Sequence, residues 1–186
     1  MSMSTWKFYT DYEKEEKWLN EMSAKGFAFV NYVFCRYTFT DCQPGEYIYR
    51  IELLEYLPGH PVSKKYIQFM AENGVEYVTR WGRWVYFRKK AEDGPFDIYS
   101  DVDSKIMHYK RILALWLPLL CMEFIIGIVN LRLGLMFLFD RNSDHGSLAN
   151  FTAGILLIVI GIMIFITWNR TRLKLKALKQ EKLLRE

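Results

Sequence analysis

The feature that most constrains this chain is the stretch from Ile112 to Trp168, two apolar runs parted by the polar segment Asp140-Arg141-Asn142-Ser143-Asp144-His145-Gly146. From Gly146 to Asn169 no residue is charged. Leu148 to Trp168 supplies about the 20 apolar residues that a bilayer-spanning helix needs. The first run, Ile112 to Phe139, is longer than a span requires and carries Pro118, Glu123 and Arg132. The alternative, two buried core helices of a soluble protein, fits poorly, because such helices rarely stay free of charge for so long. The sequence therefore predicts two transmembrane helices, about 112–139 and 148–168, joined by a tight turn.

Charge placement orients that hairpin. Residues 1–100 hold 13 Lys and Arg against 14 Asp and Glu, whereas residues 170–186 hold seven basic residues against Glu181 and Glu186. Lys105, Lys110 and Arg111 precede the first run, and the connecting segment has Arg141 beside Asp140 and Asp144. The positive-inside rule then places both termini in the cytoplasm and the chain in the cell membrane as a multi-pass protein. Met1 opens a polar, aromatic stretch with no signal-peptide core. Cys35, Cys42 and Cys121 form no CxxC pair and are expected to be free thiols in a reducing compartment.

Ahead of the hairpin the periodicity alternates between strand and helix. Trp6 to Tyr9 reads as a short strand. Thr10 and Glu13 form a capping box for a helix running to Lys25, with Trp18, Leu19 and Met22 on one face and Gly26 at its end. Phe27 to Phe34, Arg36 to Thr40 and Glu46 to Leu54 read as strands, the last two parted by the turn signal Pro44-Gly45. After Pro58-Gly59, Ser63 is the expected cap of a second helix that ends at Asn73-Gly74. Val75 to Thr79 and Trp84 to Lys89 read as a closing hairpin. The order β-α-β-β-β-α-β-β predicts an α+β fold, a ferredoxin-like, split βαβ sandwich with extra strands. The expected division is an aromatic-rich cytoplasmic domain at 1–99, a connecting helix at 100–111 capped by Ser100, the hairpin at 112–168, and a basic cytoplasmic tail at 169–186.

Several separated motifs occur in order: Asp11-Tyr12-Glu13-Lys14-Glu15-Glu16-Lys17-Trp18-Leu19-Asn20-Glu21-Met22, then Gly26-Phe27, then Pro44-Gly45-Glu46-Tyr47-Ile48-Tyr49-Arg50-Ile51-Glu52, then Trp84 to Lys90. Together they resemble a bacterial family of small membrane proteins known only as a domain of unknown function, number two-eight-one-two. The resemblance covers roughly residues 6–105. It implies a membrane-attached regulatory partner, often encoded beside PadR-type transcriptional repressors. It carries over no activity and no ligand residues.

Signatures of chemistry are missing. The chain has no GxxxxGK[ST], GxGxxG or GxSxG, and His60, His108 and His145 stand in three unrelated contexts, so no catalytic residue, cofactor or metal is expected. What stands out is the aromatic load: 4 Trp, 11 Tyr and 8 Phe among the first hundred residues. Core packing is the preferred explanation, since aromatics bury large areas in a small domain. The functional alternative is a stacking surface made of Tyr47, Tyr49, Trp81, Trp84 and Tyr86 with Arg50, Arg83 and Arg88. The absence of a basic excess in this half disfavours nucleic acid.

In the apolar half, Glu123 and Arg132 form a candidate intramembrane polar site, because ionised groups at that depth are costly. Gly127 and Gly134, like Gly154 and Gly161, are seven residues apart and are candidate helix-packing positions. The reading that follows is a non-enzymatic, membrane-anchored regulatory or sensory protein presenting its cytoplasmic domain to a protein or small-molecule partner. The alternative is an accessory subunit of a larger membrane complex such as a transporter, with the hairpin as the main contact; a homo-oligomer fits either reading.

Overall fold

The computed structural model describes residues 2–99, 101–138 and 146–185. It divides into an amino-terminal unit, Met1–Ser104, and a carboxy-terminal unit, Lys105–Glu186.

The amino-terminal unit is α+β and is built from one pattern used twice. The first half runs β1 (Ser2–Trp6), α1 (Tyr12–Ala24), β2 (Phe27–Val33) and β3 (Arg36–Asp41). The second runs β4 (Tyr47–Leu53), α2 (Pro61–Glu72), β5 (Glu76–Trp81) and β6 (Trp84–Lys90). The two three-stranded sheets have the orders β1-β3-β2 and β4-β6-β5, and every neighbouring pair is antiparallel. In each, the third strand lies between the two that flank the helix. This is the expected split βαβ arrangement, and it occurs once per sheet rather than once in a single enlarged sheet. Met22, Gly26, Val30 and Phe39 recur 48 residues on as Met70, Gly74, Val78 and Phe87. Gly26 and Gly74 both take positive φ, +85° and +76°, directly after a helix end, where a side chain would be strained. The bulges recur as well, between Phe29 and Asn31 in β2 and between Tyr77 and Thr79 in β5. These two edges approach each other, and the Thr79 hydroxyl donates to Asn31 Oδ1 at 3.1 Å.

Two cores hold the unit together. Trp18, Leu19 and Met22 of α1 pack with Phe29, Tyr37 and Phe39 of the first sheet and with Tyr49, Ile51 and Tyr86 of the second. Leu54, Met70, Val75, Val85, Phe87 and Phe96 form the other core. Successive residues of a strand face opposite sides. Tyr86 therefore enters one core while Val85 and Phe87 enter the other, so the second sheet is covered on both faces.

Helix α1 also solves an edge problem. In the order β4-β6-β5 the outer side of β4 has no strand partner, and bare strand edges invite pairing with other chains. Glu16, Asn20 and Ser23 lie one and two turns apart on α1 and meet that edge. Asn20 Nδ2 donates to the Tyr49 carbonyl at 3.0 Å, and its Oδ1 accepts from the Tyr49 amide at 2.8 Å. Ser23 bonds both the carbonyl and the amide of Tyr47 at 2.7 and 3.2 Å, and Glu16 Oε2 accepts from the Ile51 amide at 3.0 Å. Side chains here do the work of a fourth strand. Burial pushes the Glu16 carboxyl up to about 7, against the opposing pull of the Ile51 amide and the Arg50 guanidinium.

Three boundaries differ from the sequence reading. The first strand is Ser2–Trp6, because the chain past Trp6 leaves the sheet after the Lys7 amide bonds the Cys35 carbonyl at 2.9 Å. Asp11, not Thr10, caps α1: its backbone is extended and its carboxylate accepts from the Glu13 amide at 3.1 Å. His60, not Ser63, caps α2, with its ring nitrogen accepting from the Val62 amide at 3.3 Å. Pro61 explains that start, since its fixed φ suits a first helical position and it has no N–H to satisfy. Ser63 is buried inside the helix and donates to the Tyr56 carbonyl at 3.0 Å.

The carboxy-terminal unit contains α3 (Val102–Leu138) and α4 (Gly146–Arg185), with the first turn of α3 belonging to the other unit. Asp101 holds the start of α3, accepting from the Ser104 amide at 2.7 Å and hydroxyl at 2.8 Å. Ser100 and the connecting segment 139–145 lie outside the described residues. The helices pack as an antiparallel hairpin: Gly134 meets Phe151, Gly127 meets Ile158, and Gly161 meets Phe124. At about 1.5 Å per residue they are ~55 and ~60 Å long, against a bilayer hydrocarbon core of about 30 Å. Both are long and apolar enough to cross a membrane, yet only 17% and 11% of their most apolar stretches are buried. A core helix of a soluble protein would be mostly covered. Ile125, Ile128, Leu156 and Met163 are instead exposed, as side chains facing lipid would be. The basic segment after Trp168 continues α4 to Arg185.

Candidate functional site

The aromatic and basic residues singled out in the sequence do not share one surface. Tyr49 and Tyr86 are 0% and 3% exposed and belong to the first core. The Tyr49 hydroxyl accepts from the Phe29 amide at 2.8 Å, and the Tyr86 hydroxyl donates to Glu15 Oε1 at 2.7 Å. Tyr47 and Trp84 pack half-buried against the same core. Arg50 pairs with Glu16 at 3.4 Å; Arg88 grips Glu76 through two bonds of 2.7 and 2.8 Å and covers the Tyr47 ring at 4.3 Å. Tyr49 and Tyr86 are thereby removed from the expected stacking surface. The reason is that both rings point from the second sheet into the first core. Arg83, like Tyr47, Trp84, Arg50 and Arg88, is half-buried, and Trp81 at the β5–β6 turn is exposed. Arg83 Nε donates to the Leu54 carbonyl at 2.8 Å.

Around Trp81 the fold assembles a different surface. The Phe34 ring meets the Trp81 ring edge-on at 4.6 Å, and the Tyr32 ring lies 5.9 Å from it. Trp6 of β1 pairs with Arg36 of β3, which pairs in turn with Val33 of β2, so Trp6, Arg36 and Val33 form a row across the first sheet. Trp6, Phe34 and Trp81 are 69%, 68% and 40% exposed. Isolated exposed apolar residues are ordinary; several large ones together mark an interaction surface.

The turn that carries Phe34 is itself unusual. Phe34 and Cys35 both have positive φ, +44° and +64°, and neither is glycine. A two-residue hairpin turn of this kind favours Asn-Gly. A bulky side chain in that region costs about 1–3 kcal/mol and persists where something else requires it. The corresponding turn in the second half has Gly82 at its first position. Strain accepted at Phe34 keeps an aromatic ring on the surface beside Trp81.

The cations of these segments lie apart. Arg36 shares the row with Trp6, Lys7 lies over the Trp18 ring at 4.4 Å, Arg80 pairs in register with Val85, and Arg83 bonds the Leu54 carbonyl. The signal that could have found the aromatic surface was a two-residue connection between strands occupied by Phe34-Cys35.

A second cluster lies inside. Glu15 is buried in the first core, where its Oε1 accepts from both the Tyr37 and the Tyr86 hydroxyls at 2.7 Å. Burial raises the Glu15 carboxyl above its ordinary value, opposed by those two hydrogen bonds, and burial with the neighbouring carboxylate raises both phenols. This arrangement satisfies a buried acid and ties α1 to both sheets. A polar cleft lined by Gln43, Glu46, Lys90 and Glu92 has its charges engaged: Glu46 accepts from the Gln43 amide at 2.9 Å, and Lys90 pairs with Glu92 at 3.0 Å. Among the described residues no three His, Cys, Asp or Glu side chains converge to hold a metal, and Cys35, Cys42 and Cys121 are free thiols.

In the helical hairpin, Glu123 is half-buried and its Oε2 is enclosed without a hydrogen-bond partner among the described residues. Arg132 is exposed, nine residues on, or ~13 Å along the axis, too far for a simple pair. Gly127, Gly134, Gly154 and Gly161 all lie between the two helices; a methyl on Gly134 would stand 2.6 Å from the Phe151 amide nitrogen, and one on Gly154 2.7 Å from that of Leu131.

The sequence profile of the family described as protein of unknown function (DUF2812) matches residues 11–121. That match runs from the start of α1 through the amino-terminal unit and into α3. No curated protein and no solved structure matches the chain.

Proposed function

This chain belongs to the DUF2812 family of proteins of unknown function, and we propose that it is a non-enzymatic, membrane-anchored binding module of the regulatory or sensory kind, working through the aromatic surface around Phe34 and Trp81. The observation that carries this reading is the exposed Phe34–Trp81 pair held up by a strained turn. Binding rather than catalysis suits a surface made chiefly of exposed aromatic rings. The glycine-lined faces of α3 and α4 are used within the hairpin itself, which favours the amino-terminal unit as the working part over the hairpin as the main contact.

The test replaces Phe34 by the photoreactive analogue benzoylphenylalanine in the full chain and irradiates intact cells. Mass spectrometry should find adducts, protein or lipid, from position 34 and none from the same group at exposed Glu21 on α1. No adduct above the Glu21 control would remove this surface from the functional reading.

In this proposal both termini are cytoplasmic, supported by the net positive charge of residues 170–186 against the nearly neutral connecting segment. A cysteine at Ser143, in a chain otherwise free of thiols, is expected to react with an impermeant reagent applied to intact cells. Cysteines at Ser2 and Glu186 are expected to react only after permeabilisation. The reverse pattern would invert the topology.

A further inference from the structure

Each three-stranded sheet has two outer edges, and the fold closes three of the four. β4 is covered by the side chains of α1, and β2 and β5 approach each other through Asn31 and Thr79. The outer edge of β1 has no strand beside it among the described residues. The Lys7 amide bonds the Cys35 carbonyl, and antiparallel partners alternate between bonded and unbonded positions. Met3 and Thr5 therefore bond β3 as Lys7 does, while the amides and carbonyls of Ser2, Ser4 and Trp6 point outward. Open edges are ordinarily blunted by charge, proline or a bulge. Ser2-Met3-Ser4-Thr5-Trp6 has no charged residue and no proline, and its register with β3 is unbroken.

We propose that this edge pairs antiparallel with the β1 edge of a second copy of the chain, joining their first sheets into one continuous sheet. The inference is separate from the Phe34–Trp81 surface and goes beyond it. A two-fold axis at Ser4 sets Ser4 opposite Ser4, Ser2 opposite Trp6 and Met3 opposite Thr5. Every outward amide then meets an outward carbonyl of the other copy, because both strands present these groups at alternate residues. Side-chain size matches as well, since the large Trp6 and Met3 fall opposite the small Ser2 and Thr5, and cross-strand neighbours are the unit of sheet stability. The paired segment is neutral, so no like charges meet across it. The same five residues supply both sides of the fit, as a closed two-fold contact requires. That self-match favours a second copy over a foreign strand.

The test places single cysteines in a full chain whose Cys35, Cys42 and Cys121 are replaced by serine, and oxidises it in isolated membranes. Directly opposed bonded residues have Cα atoms about 5.5 Å apart, within disulfide reach. Ser2 of one copy stands four residues along from Ser2 of the other, roughly 13 Å. Ser4→Cys should therefore form a covalent dimer several-fold faster than Ser2→Cys or Thr40→Cys. Equal rates at the three positions, or no dimer at position 4, overturn the proposal. So does a disulfide from position 4 to a different protein, which would assign the edge to a foreign strand. A second variant uses the otherwise native chain. Ser4→Pro removes an outward amide but none that bonds β3, so in mild detergent it should turn a dimer, measured by light scattering, into a monomer with unchanged near-ultraviolet circular dichroism. A native chain that is monomeric there, or a folded Ser4→Pro variant that stays dimeric, also overturns it; if that variant does not fold, the cysteine comparison decides.

Discussion

Trp18→Ala should lower the unfolding free energy of the amino-terminal unit by about 3–5 kcal/mol, the range for deleting a large buried aromatic side chain. Trp18 lies 4.8 Å from the Tyr37 ring and 5.6 Å from both Tyr9 and Phe39, with the Lys7 ammonium 4.4 Å above it. Those neighbours belong to β3 and to the segment before α1, so no single shift of one element can fill the space left behind. The rings around it are themselves locked: the Tyr37 hydroxyl is tied to Glu15 at 2.7 Å. Cores that cannot collapse sit at the upper end of the range. Since small domains are stable by only about 5–15 kcal/mol, the variant should be close to its unfolding threshold at ambient temperature. Denaturant unfolding of the full chain in detergent, followed by near-ultraviolet circular dichroism, measures this. A change of a few tenths of a kcal/mol would mean that α1 does not anchor the two sheets.

The second large effect belongs to the hairpin, where alanine substitution should grade the glycines rather than affect them alike. A methyl on Gly134 meets Phe151 backbone atoms at 2.6 and 2.7 Å, and one on Gly154 meets the Leu131 amide at 2.7 Å and the Gly127 carbonyl at 3.0 Å. Backbone cannot swing aside, so the helices must separate and lose contacts along their length. Without a hydrophobic force between helices in lipid, such close approach supplies much of their association. Overpacking of this sort costs about 1–3 kcal/mol or more. On Gly127 the nearest atoms are the Ile158 side chain at 3.0 Å, which can rotate, and on Gly161 the Phe124 ring at 3.5 Å, an ordinary contact. Gly134→Ala and Gly154→Ala should therefore weaken the hairpin most, Gly127→Ala less, and Gly161→Ala scarcely at all. Resistance to unfolding as sodium dodecyl sulfate is titrated into mild detergent reads this order. A uniform loss across the four positions would mean that the close approach is not what holds the helices together.

The sequence-legible parts are those set by neighbouring residues. The charge-free length of 146–169 announces a helix long and apolar enough to cross a membrane. Pro61 and Gly26 mark helix boundaries through their own backbone preferences. The order of strands and helices follows from periods of 2 and 3.6 read locally. The caps were missed by one residue at Asp11 and three at His60, since several polar residues in each region could accept the same bonds.

What only the tertiary structure decided is which segments became neighbours. β1 pairs with β3 and β4 with β6, across separations of tens of residues, and nothing local states that the strands divide into two sheets rather than one. The duplication at an offset of 48 residues was hidden because few of its positions keep the same residue. That division fixed the fate of the aromatics. Alternation tells which side chains share a strand face, but it cannot tell whether a face will be covered. The second sheet is covered twice, which took Tyr49 and Tyr86 inside. The strained turn brought Phe34 against Trp81, two residues 47 positions apart in the chain. Local chemistry set the elements and the apolar hairpin; packing between distant strands decided which rings reached the surface together.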